Sequence, residues 1–341
     1  MNKNKLLIVG DTHFRDFLSY DSYINNGRSA EKKEILDFIL ESSKDCDHIV
    51  FLGDFFSSRN NSSETNRQAV EFLEKFKNKE IYIINGNHEK KGDGKTAIDF
   101  LKEIKHSSWH IFTRPHDTQI GNLKVSFLPY VLKSELSAEN DEQSTEKIIK
   151  DLPGGDILFA HYSVSDTTFN GISTNSLKEV VLSKAKLEEK YKQVIAGHIH
   201  MPGIFGKTIL TGSVFNNEVG EIEKFIWKID ENLKVEQIKL PGRGIYKMLN
   251  PTTEELAKLP KESIVKVIIT DKKMNIEEIK DNLTRFDASL VLEQFPDERK
   301  KMHNIQEGAL DFSPESLLKL YSEERGIELR KLLMGLELIK N

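Results

Sequence analysis

Short β-rich runs alternate with helical patterns over the first 200 residues, and this alternation constrains the fold more than any other feature of the sequence. It is typical of parallel strands joined by crossover helices. Runs such as 7–9, 49–52 and 81–84 are continuously apolar, as expected for strands buried on both faces. We predict strands at 5–10, 48–53, 81–85, 124–129, 156–160, 193–197, 225–229 and 234–240, and helices at 30–43, 64–77, 96–104, 144–150 and 177–190.

The segment Pro241–Gly244 predicts a domain boundary, because Gly and Pro together punctuate chains where few long-range contacts cross. We therefore predict an α/β domain at 1–245 and a small α+β capping domain at 246–313, followed by a helical tail at 314–341. In the capping domain we expect strands at 264–270 and 289–293 and a helix at 276–286.

Composition excludes several classes of protein. No apolar run approaches the roughly 18 residues that a membrane span needs, and the run Leu6–Val9 is too short for a signal peptide. The single cysteine, Cys46, cannot form an internal disulfide, so we expect a cytoplasmic protein. The net charge is −5, so any binding to nucleic acid must use a local patch, a metal site or a partner.

Polar side chains follow five of the predicted strands, at the edge where open α/β sheets bind ligands. A lone Asp or His after a strand is commonly a turn residue, but five such sites, four directly preceded by glycine, are hard to explain by turns alone. The five sites read Gly10-Asp11-Thr12-His13, Gly53-Asp54, Gly86-Asn87-His88-Glu89, Ala160-His161 and Gly197-His198-Ile199-His200.

These residue types indicate metal chemistry. Asp, His and Asn offer oxygen and imidazole donors without thiolate, a set that suits Mn, Fe or Zn. The candidate ligands number seven, which is too many for one tetrahedral ion but enough for two ions that share a carboxylate. They are Asp11, His13, Asp54, Asn87, His161, His198 and His200. Two such ions can polarise a phosphoryl oxygen and activate a water.

The ordered set Asp-x-His, Gly-Asp, Gly-Asn-His-Glu, His and Gly-His-x-His resembles the calcineurin-like metallophosphoesterase superfamily. The resemblance implies a sandwich of two mixed β-sheets flanked by helices. It also implies that Asp11, His13 and His200 hold one metal, that Asn87, His161 and His198 hold the other, and that Asp54 bridges them. His88 resembles the family's non-ligand histidine, which contacts the scissile phosphate as acid or transition-state stabiliser.

Further motifs resemble the SbcD type of DNA repair nuclease, and above all its compact phage-type recombination subunit. They are the leading Asp-Thr-His, Tyr130 after Phe127-Leu128-Pro129, and Thr211-Gly212-Ser213 followed by Glu218 and Gly220-Glu221. The resemblance implies a DNA exonuclease and endonuclease for repair and recombination, with two divalent ions, Mn first and Fe, Zn or Mg as alternatives. It implies a homodimer and an SbcC-type ATPase partner with a coiled coil. One departure is Ser57, where the family commonly has Asp or His.

Weaker signals leave alternatives open. Arg15, Arg59, Lys90 and Lys91 lie near the ligand motifs and are candidate DNA contacts, although charged loops are commonly only solvated. Leucines at helical spacing between 317 and 336 either pack internally or bind the ATPase partner. The rival functions are a phosphoesterase for small nucleotides or phosphoproteins, which would share every ligand, and an inactive scaffold.

Overall fold

The structure is a computed structural model that describes residues 4–24, 27–91, 94–136, 140–169, 172–177, 179–286 and 288–293. Its strands are β1 Leu6–Val9, β2 His48–Leu52, β3 Glu80–Ile84, β4 Trp109–Phe112, β5 His116–Ile120, β6 Leu123–Leu128, β7 Gly155–His161, β8 Ser163–Val164, β9 Thr168–Phe169, β10 Ile172–Ser173, β11 Val181–Leu182, β12 Tyr191–Gly197, β13 Gly203–Phe205, β14 Thr208–Leu210, β15 Phe225–Ile229, β16 Val235–Lys239, β17 Ile245–Leu249, β18 Ile264–Ile269 and β19 Ala288–Glu293. Its α-helices are α1 Ser29–Ser42, α2 Ser63–Glu74, α3 Asp99–Glu103, α4 Asp141–Asp151, α5 Lys184–Lys190, α6 Thr253–Ala257 and α7 Ile276–Leu283.

Two mixed six-stranded sheets form the larger part of the fold. The first has the order β16-β15-β1-β2-β3-β4 and the second the order β13-β14-β12-β7-β6-β5. The strands β1 to β4 pair in parallel, whereas β15 pairs antiparallel to β1. The predicted fold class, two mixed sheets flanked by helices, is confirmed over the described residues.

Three apolar layers explain the continuously apolar strands. Alternate residues of both sheets, among them Ile8, Val50, Phe159 and Trp227, share one buried cluster. Because side chains alternate across a strand, the residues between them face outward. Outward residues of the first sheet, such as Phe51, pack against α1 and α2, and those of the second sheet pack against α4 and α5. Each central strand is therefore buried on both faces.

Residues 245–293 form a separate three-stranded parallel sheet, with the order β17-β18-β19 and the helices α6 and α7 in the connections. A capping box between Thr252 and Glu255 begins α6. The described residues belong to one compact unit, and the boundary at 245 stays a prediction. The predicted tail at 314–341 and the end of the predicted capping domain lie outside the described residues.

Several elements differ from the sequence expectation. The strands β4, β5 and β17 were not predicted, because short or mostly polar runs such as residues 116–120 carry little apolar signal. The predicted helix at 177–190 begins only at Lys184, because Val181–Leu182 pairs with β8 instead. In the part of the chain that the structure describes, no helix is long and apolar enough to cross a bilayer.

Candidate metal centre

The seven predicted ligands lie together where five strands end, although the strands belong to two different sheets. Hydrogen bonds join the two edges, since the Asp11 carboxylate accepts from the backbone N–H of His198 at 3.0 Å and His161 Nδ1 donates to the Leu52 carbonyl at 2.6 Å. The ligands are Asp11 and His13 after β1, Asp54 after β2, Asn87 after β3, His161 at the end of β7, and His198 and His200 after β12.

Strained backbone positions these side chains. His13, Asp54 and His198 have φ angles of 45°, 42° and 83°, in the left-handed region that residues with a Cβ rarely adopt. Each such residue costs about 1–3 kcal/mol, and strain of this kind concentrates at functional sites. Its occurrence at three predicted ligands supports a functional reason for their placement.

The glycines before the ligands allow close packing. A Cβ on Gly53, which has a φ of 85°, would lie 2.3 Å from His161 Nδ1. A Cβ on Gly86 would lie 2.1 Å from Asp54 Oδ1. Both glycines are therefore required by the packing of the ligands, which accounts for the repeated Gly in the sequence motifs.

One group of ligand atoms comes from Asp11, His13 and His200, which lie within 4.8 Å of one another. The Nε2 atoms of His13 and His200 face each other at 2.9 Å, and His200 Nε2 lies 3.8 Å from Asp11 Oδ2. Two imidazole nitrogens and a carboxylate that converge in this way form a suitable cation site.

A second group comes from Asp54, His161 and His198. The Asn87 side-chain oxygen lies 3.0 Å from both His161 Nε2 and His198 Nδ1. Asp54 Oδ2 lies 3.8 Å from Nε2 of His13, in the first group, and 3.4 Å from Nε2 of His161, in the second. Asp54 thus lies near both groups, and its role as a bridging ligand stays a prediction.

Outer partners fix the orientation of the histidines. His200 Nδ1 lies 3.1 Å from Glu221, and His198 Nε2 lies 3.0 Å from both oxygens of Glu179. A carbonyl accepts only, so the contact with Leu52 places the proton of neutral His161 on Nδ1 and leaves Nε2 as the ligand atom. Such partners fix the orientation and the tautomer of the imidazole ring and raise the affinity of the site for a metal ion. Sequence reasoning missed Glu179, since a single Glu in a loop carries no signal of its role.

The electrostatics of the site reflect this concentration of charge. Burial opposes ionisation of Asp54, but the imidazoles of His161 and His13 outweigh it and lower the pKa of the carboxyl group. Burial likewise opposes protonation of His161, whereas Asp54 and Asp11 raise its pKa to about 10. Burial raises the pKa of Asp11, which lies fully inside the protein. A cation would replace protons in balancing these two carboxylates.

His88 lies on the exposed side of this cluster, with 48% of its side chain accessible. Its backbone N–H donates to Asp54 Oδ1 at 2.9 Å, and its Nδ1 donates to the Ser57 carbonyl at 3.1 Å. The remaining nitrogen, Nε2, lies 4.0 Å from Asp54 Oδ2. This side chain is therefore held in place while one nitrogen stays available at the edge of the cluster.

Glu89, next to His88, is fully buried and accepts from the backbone N–H groups of Gly86 and Phe56. Burial and the nearby Asp54 raise its pKa to about 8. Its hydrogen bonds join the loop after β3 to the loop after β2, so its position indicates a structural role.

The candidate DNA contacts have different surroundings. Lys90 is 5% exposed, with Nζ 3.1 Å from Glu135, whereas Arg59 and Lys91 line an open cavity of about 400 Å³. Lys95 and three asparagines, at positions 60, 61 and 66, line the same cavity, as does Asp99, which forms an ion pair with Lys102. The Arg15 guanidinium donates to Ser19 and Asn217, close to the first ligand group.

The donors fit divalent cations. They consist of carboxylate and amide oxygens and imidazole nitrogens, and among the described residues a further group of His13, Asp54 and His88 overlaps the first two. This set suits Mn, Fe or Zn.

Comparison with known proteins identifies one matching family. A sequence model described as calcineurin-like phosphoesterase matches residues 5–202. The search of curated proteins finds no match. Similar solved structures include a single and a double mutant of Vps29 from Entamoeba histolytica, each 13% identical, with a TM-score of 0.28 and coverage of 70% of this chain and 99% of the other. A protein of unknown function from Aquifex aeolicus is 15% identical, with a TM-score of 0.28 and coverage of 55% and 94%.

Proposed function

Since the chain belongs to the calcineurin-like phosphoesterase family, we propose that it is a DNA nuclease that depends on two metal ions and acts as the nuclease subunit of an SbcCD-like repair and recombination complex. The observation that carries the phosphodiesterase part is the convergence of seven ligand side chains, with Asp54 between the two groups. Two divalent cations held there would supply charge stabilisation for a phosphodiester and an activated water nucleophile. We expect Mn, with Fe, Zn or Mg as alternatives.

The protein's own residues would orient and protonate the substrate. Because Nδ1 of His88 is held by the Ser57 carbonyl, a second proton on this side chain resides on Nε2, at the exposed edge of the cluster. From there the imidazolium can donate to a phosphoryl oxygen or to the departing oxygen of the DNA. The partners Glu179 and Glu221 hold His198 and His200 in the orientation that presents the other nitrogen to the centre.

A cationic surface next to this edge supports a polymeric anion as the substrate. Ser57, which holds His88, is separated by one residue from Arg59, and Arg59 lines the same cavity as Lys91 and Lys95. Cationic and amide side chains of this kind contact DNA phosphates without reading sequence. Because the whole chain is acidic, with a net charge of −5, we propose that a partner ATPase and a second copy of the chain add to the grip on DNA.

The decisive experiment measures cleavage of linear double-stranded DNA and of a single-stranded circle with added Mn. We expect activity in the wild type and none in the double variant His198→Ala/His200→Ala. The matched control is His106→Ala/His116→Ala, which removes two exposed histidines remote in sequence from the ligand motifs. Activity on a cyclic nucleotide or a phosphopeptide, without DNA cleavage by the wild type alone or with its ATPase, would overturn the nuclease assignment.

A second variant separates an enzyme from a scaffold. His88→Ala should retain both metals, measured by calorimetric titration with Mn, and lose DNA cleavage by about 100-fold or more. Equal cleavage rates in the variant and the wild type would exclude the assigned role of His88.

A further inference from the structure

An aromatic side chain projects into solvent from the loop that follows the ligand His13. Phe17 is 72% exposed, the highest value among the large apolar side chains that the structure describes as exposed. It lies four residues after His13, so the two Cα atoms are at most about 14 Å apart. An exposed aromatic residue this close to a phosphodiesterase centre lies within reach of a nucleotide whose phosphate is bound there.

The loop around Phe17 is anchored on both sides of it. The Arg15 carbonyl accepts from Lys32 Nζ at 2.7 Å, and the Asp16 carboxylate accepts from Thr65 Oγ1 at 2.6 Å and Ser62 Oγ at 2.8 Å. On the other side, Leu18 is 4% exposed and packs into the core. The residues on both sides of Phe17 are thus fixed, while its side chain is exposed to solvent.

The same loop contacts the segment that carries the exposed catalytic edge. The Phe14 carbonyl accepts from the Ser57 N–H at 3.1 Å, and Asp16 contacts Ser62, so the loop touches both ends of residues 57–62. Arg59, which lines the cavity described above, lies within this segment. The segment begins at Ser57, whose carbonyl accepts a hydrogen bond from His88. Phe17, which directly follows Asp16, therefore lies in a loop that adjoins residues 57–62.

We propose that Phe17 is a stacking platform for a nucleobase of single-stranded or unpaired DNA and so positions the strand relative to the metal centre. Every base has an aromatic face, so stacking tolerates any sequence, and a loop whose neighbouring residues are already anchored loses little backbone freedom when the ring binds. The inference rests on the proposed nuclease function, and it adds the class of substrate contact made outside the metal centre.

The test measures binding of fluorescently labelled single-stranded oligonucleotides in EDTA, by anisotropy. Phe17→Ala should bind between about five-fold and a hundred-fold more weakly than the wild type, the range expected for loss of one stacked base. Phe17→Trp should retain binding, and its added indole fluorescence should be quenched by the oligonucleotide. The matched control is Leu249→Ala, because Leu249 is also exposed, at 63%, but lies on β17. Thermal melting verifies that each variant is folded.

Oligonucleotides with one abasic position identify the contact. The wild type should bind an oligonucleotide more weakly when the abasic site occupies one or two particular positions in it. Phe17→Ala should bind all the abasic oligonucleotides equally. Equal affinities of Phe17→Ala and wild type, or an equal loss for every abasic oligonucleotide, would overturn the stacking role while DNA cleavage by the wild type keeps the nuclease function. If the wild type neither binds nor cleaves DNA, alone or with its ATPase, both proposals are wrong.

Discussion

At the scale of single residues, the centre combines ligands that can be read from the sequence with partners that cannot. Glu179 accepts from His198 Nε2 at 3.0 Å and also from Ser163 Oγ, and these contacts, with burial opposing them, lower its pKa. A charged carboxylate at this position orients the imidazole and makes its other nitrogen a stronger donor. The affinity of the centre for metal should therefore depend on a residue that does not contact the metal.

We expect Glu179→Ala to weaken Mn binding at the group formed by Asp54, His161 and His198 by about 10–100-fold, the usual cost of losing such a partner. Calorimetric titration with Mn measures the affinity. Glu146→Ala is the matched control. Glu146 and Glu179 line one surface cavity, but 61% of the Glu146 side chain is exposed. An unchanged affinity in Glu179→Ala would show that His198 needs no orienting partner.

Gly53 and Gly94 provide a matched pair for the role of close packing. Both have positive φ angles, 85° and 81°, but a Cβ on Gly53 would meet His161 at 2.3 Å, whereas a Cβ on Gly94 would meet nothing within 4 Å. Gly94→Ala should lower the free energy of unfolding by about 1 kcal/mol through strain alone. Gly53→Ala should lower the free energy of unfolding by about 1–3 kcal/mol more than Gly94→Ala does, because the added Cβ overpacks the site, and it should impair metal binding. Urea denaturation measures the free energies, and equal losses would contradict the packing argument.

At the scale of elements, the sequence predicts the strands that are buried on both faces and the residues at their ends. The strand β1 is continuously apolar, and β2 and β3 are apolar after their first residue, so the sequence predicts both these strands and the sheet edge at which they end. The strands β5 and β17 could not, since their side chains are mostly polar or partly exposed and the pairing partner supplies their stability. Likewise, the ligand types follow from sequence, but the meeting of two sheets that brings His161 and His198 beside Asp54 is a tertiary property.

The beginning of α1 shows an element fixed by buried charge. Arg28 is fully buried and donates to both oxygens of Glu31 at 2.6 and 2.7 Å, and Arg243 donates to the same carboxylate at 2.8 Å. Burial by itself would raise the pKa of Glu31, but Arg28 and Arg243 lower it below its ordinary value of 4.5. This carboxylate joins α1 to the segment that precedes β17.

We expect Glu31→Gln to lower the free energy of unfolding at neutral pH by about 3–5 kcal/mol, because Arg28 is then buried without its partner. A carboxyl group with a depressed folded-state pKa stabilises the fold above its unfolded-state pKa, and this contribution is lost as the pH falls through the folded-state value. The difference between variant and wild type should therefore shrink below a pH of about 4.5. Urea denaturation across this range tests it, with the exposed Glu34→Gln as the control. A pH-independent difference would exclude the charge as the cause.

At the scale of the whole molecule, the acidic chain and the proposed substrate are difficult to reconcile without a partner. A net charge of −5 disfavours binding to DNA by bulk electrostatics, so we propose that the affinity comes from the metal centre, the cavity around Arg59 and a further subunit. The leucines between 317 and 336 have the helical spacing that suits a groove on a partner. The interface with the ATPase is therefore predicted at 314–341.

We expect deletion of residues 314–341 to abolish binding to the SbcC-type ATPase while the core keeps its melting temperature and its affinity for Mn. The paired variant Leu329→Ala/Leu336→Ala should weaken binding in the same direction, because it removes apolar contact area. Its matched control, Glu328→Ala/Glu337→Ala, changes neighbouring charged positions and should bind as the wild type does. Size-exclusion chromatography with the ATPase and thermal melting of each variant measure the two properties. If the deletion lowers the melting temperature and the leucine pair does the same, the leucines pack within this chain and the interface lies elsewhere.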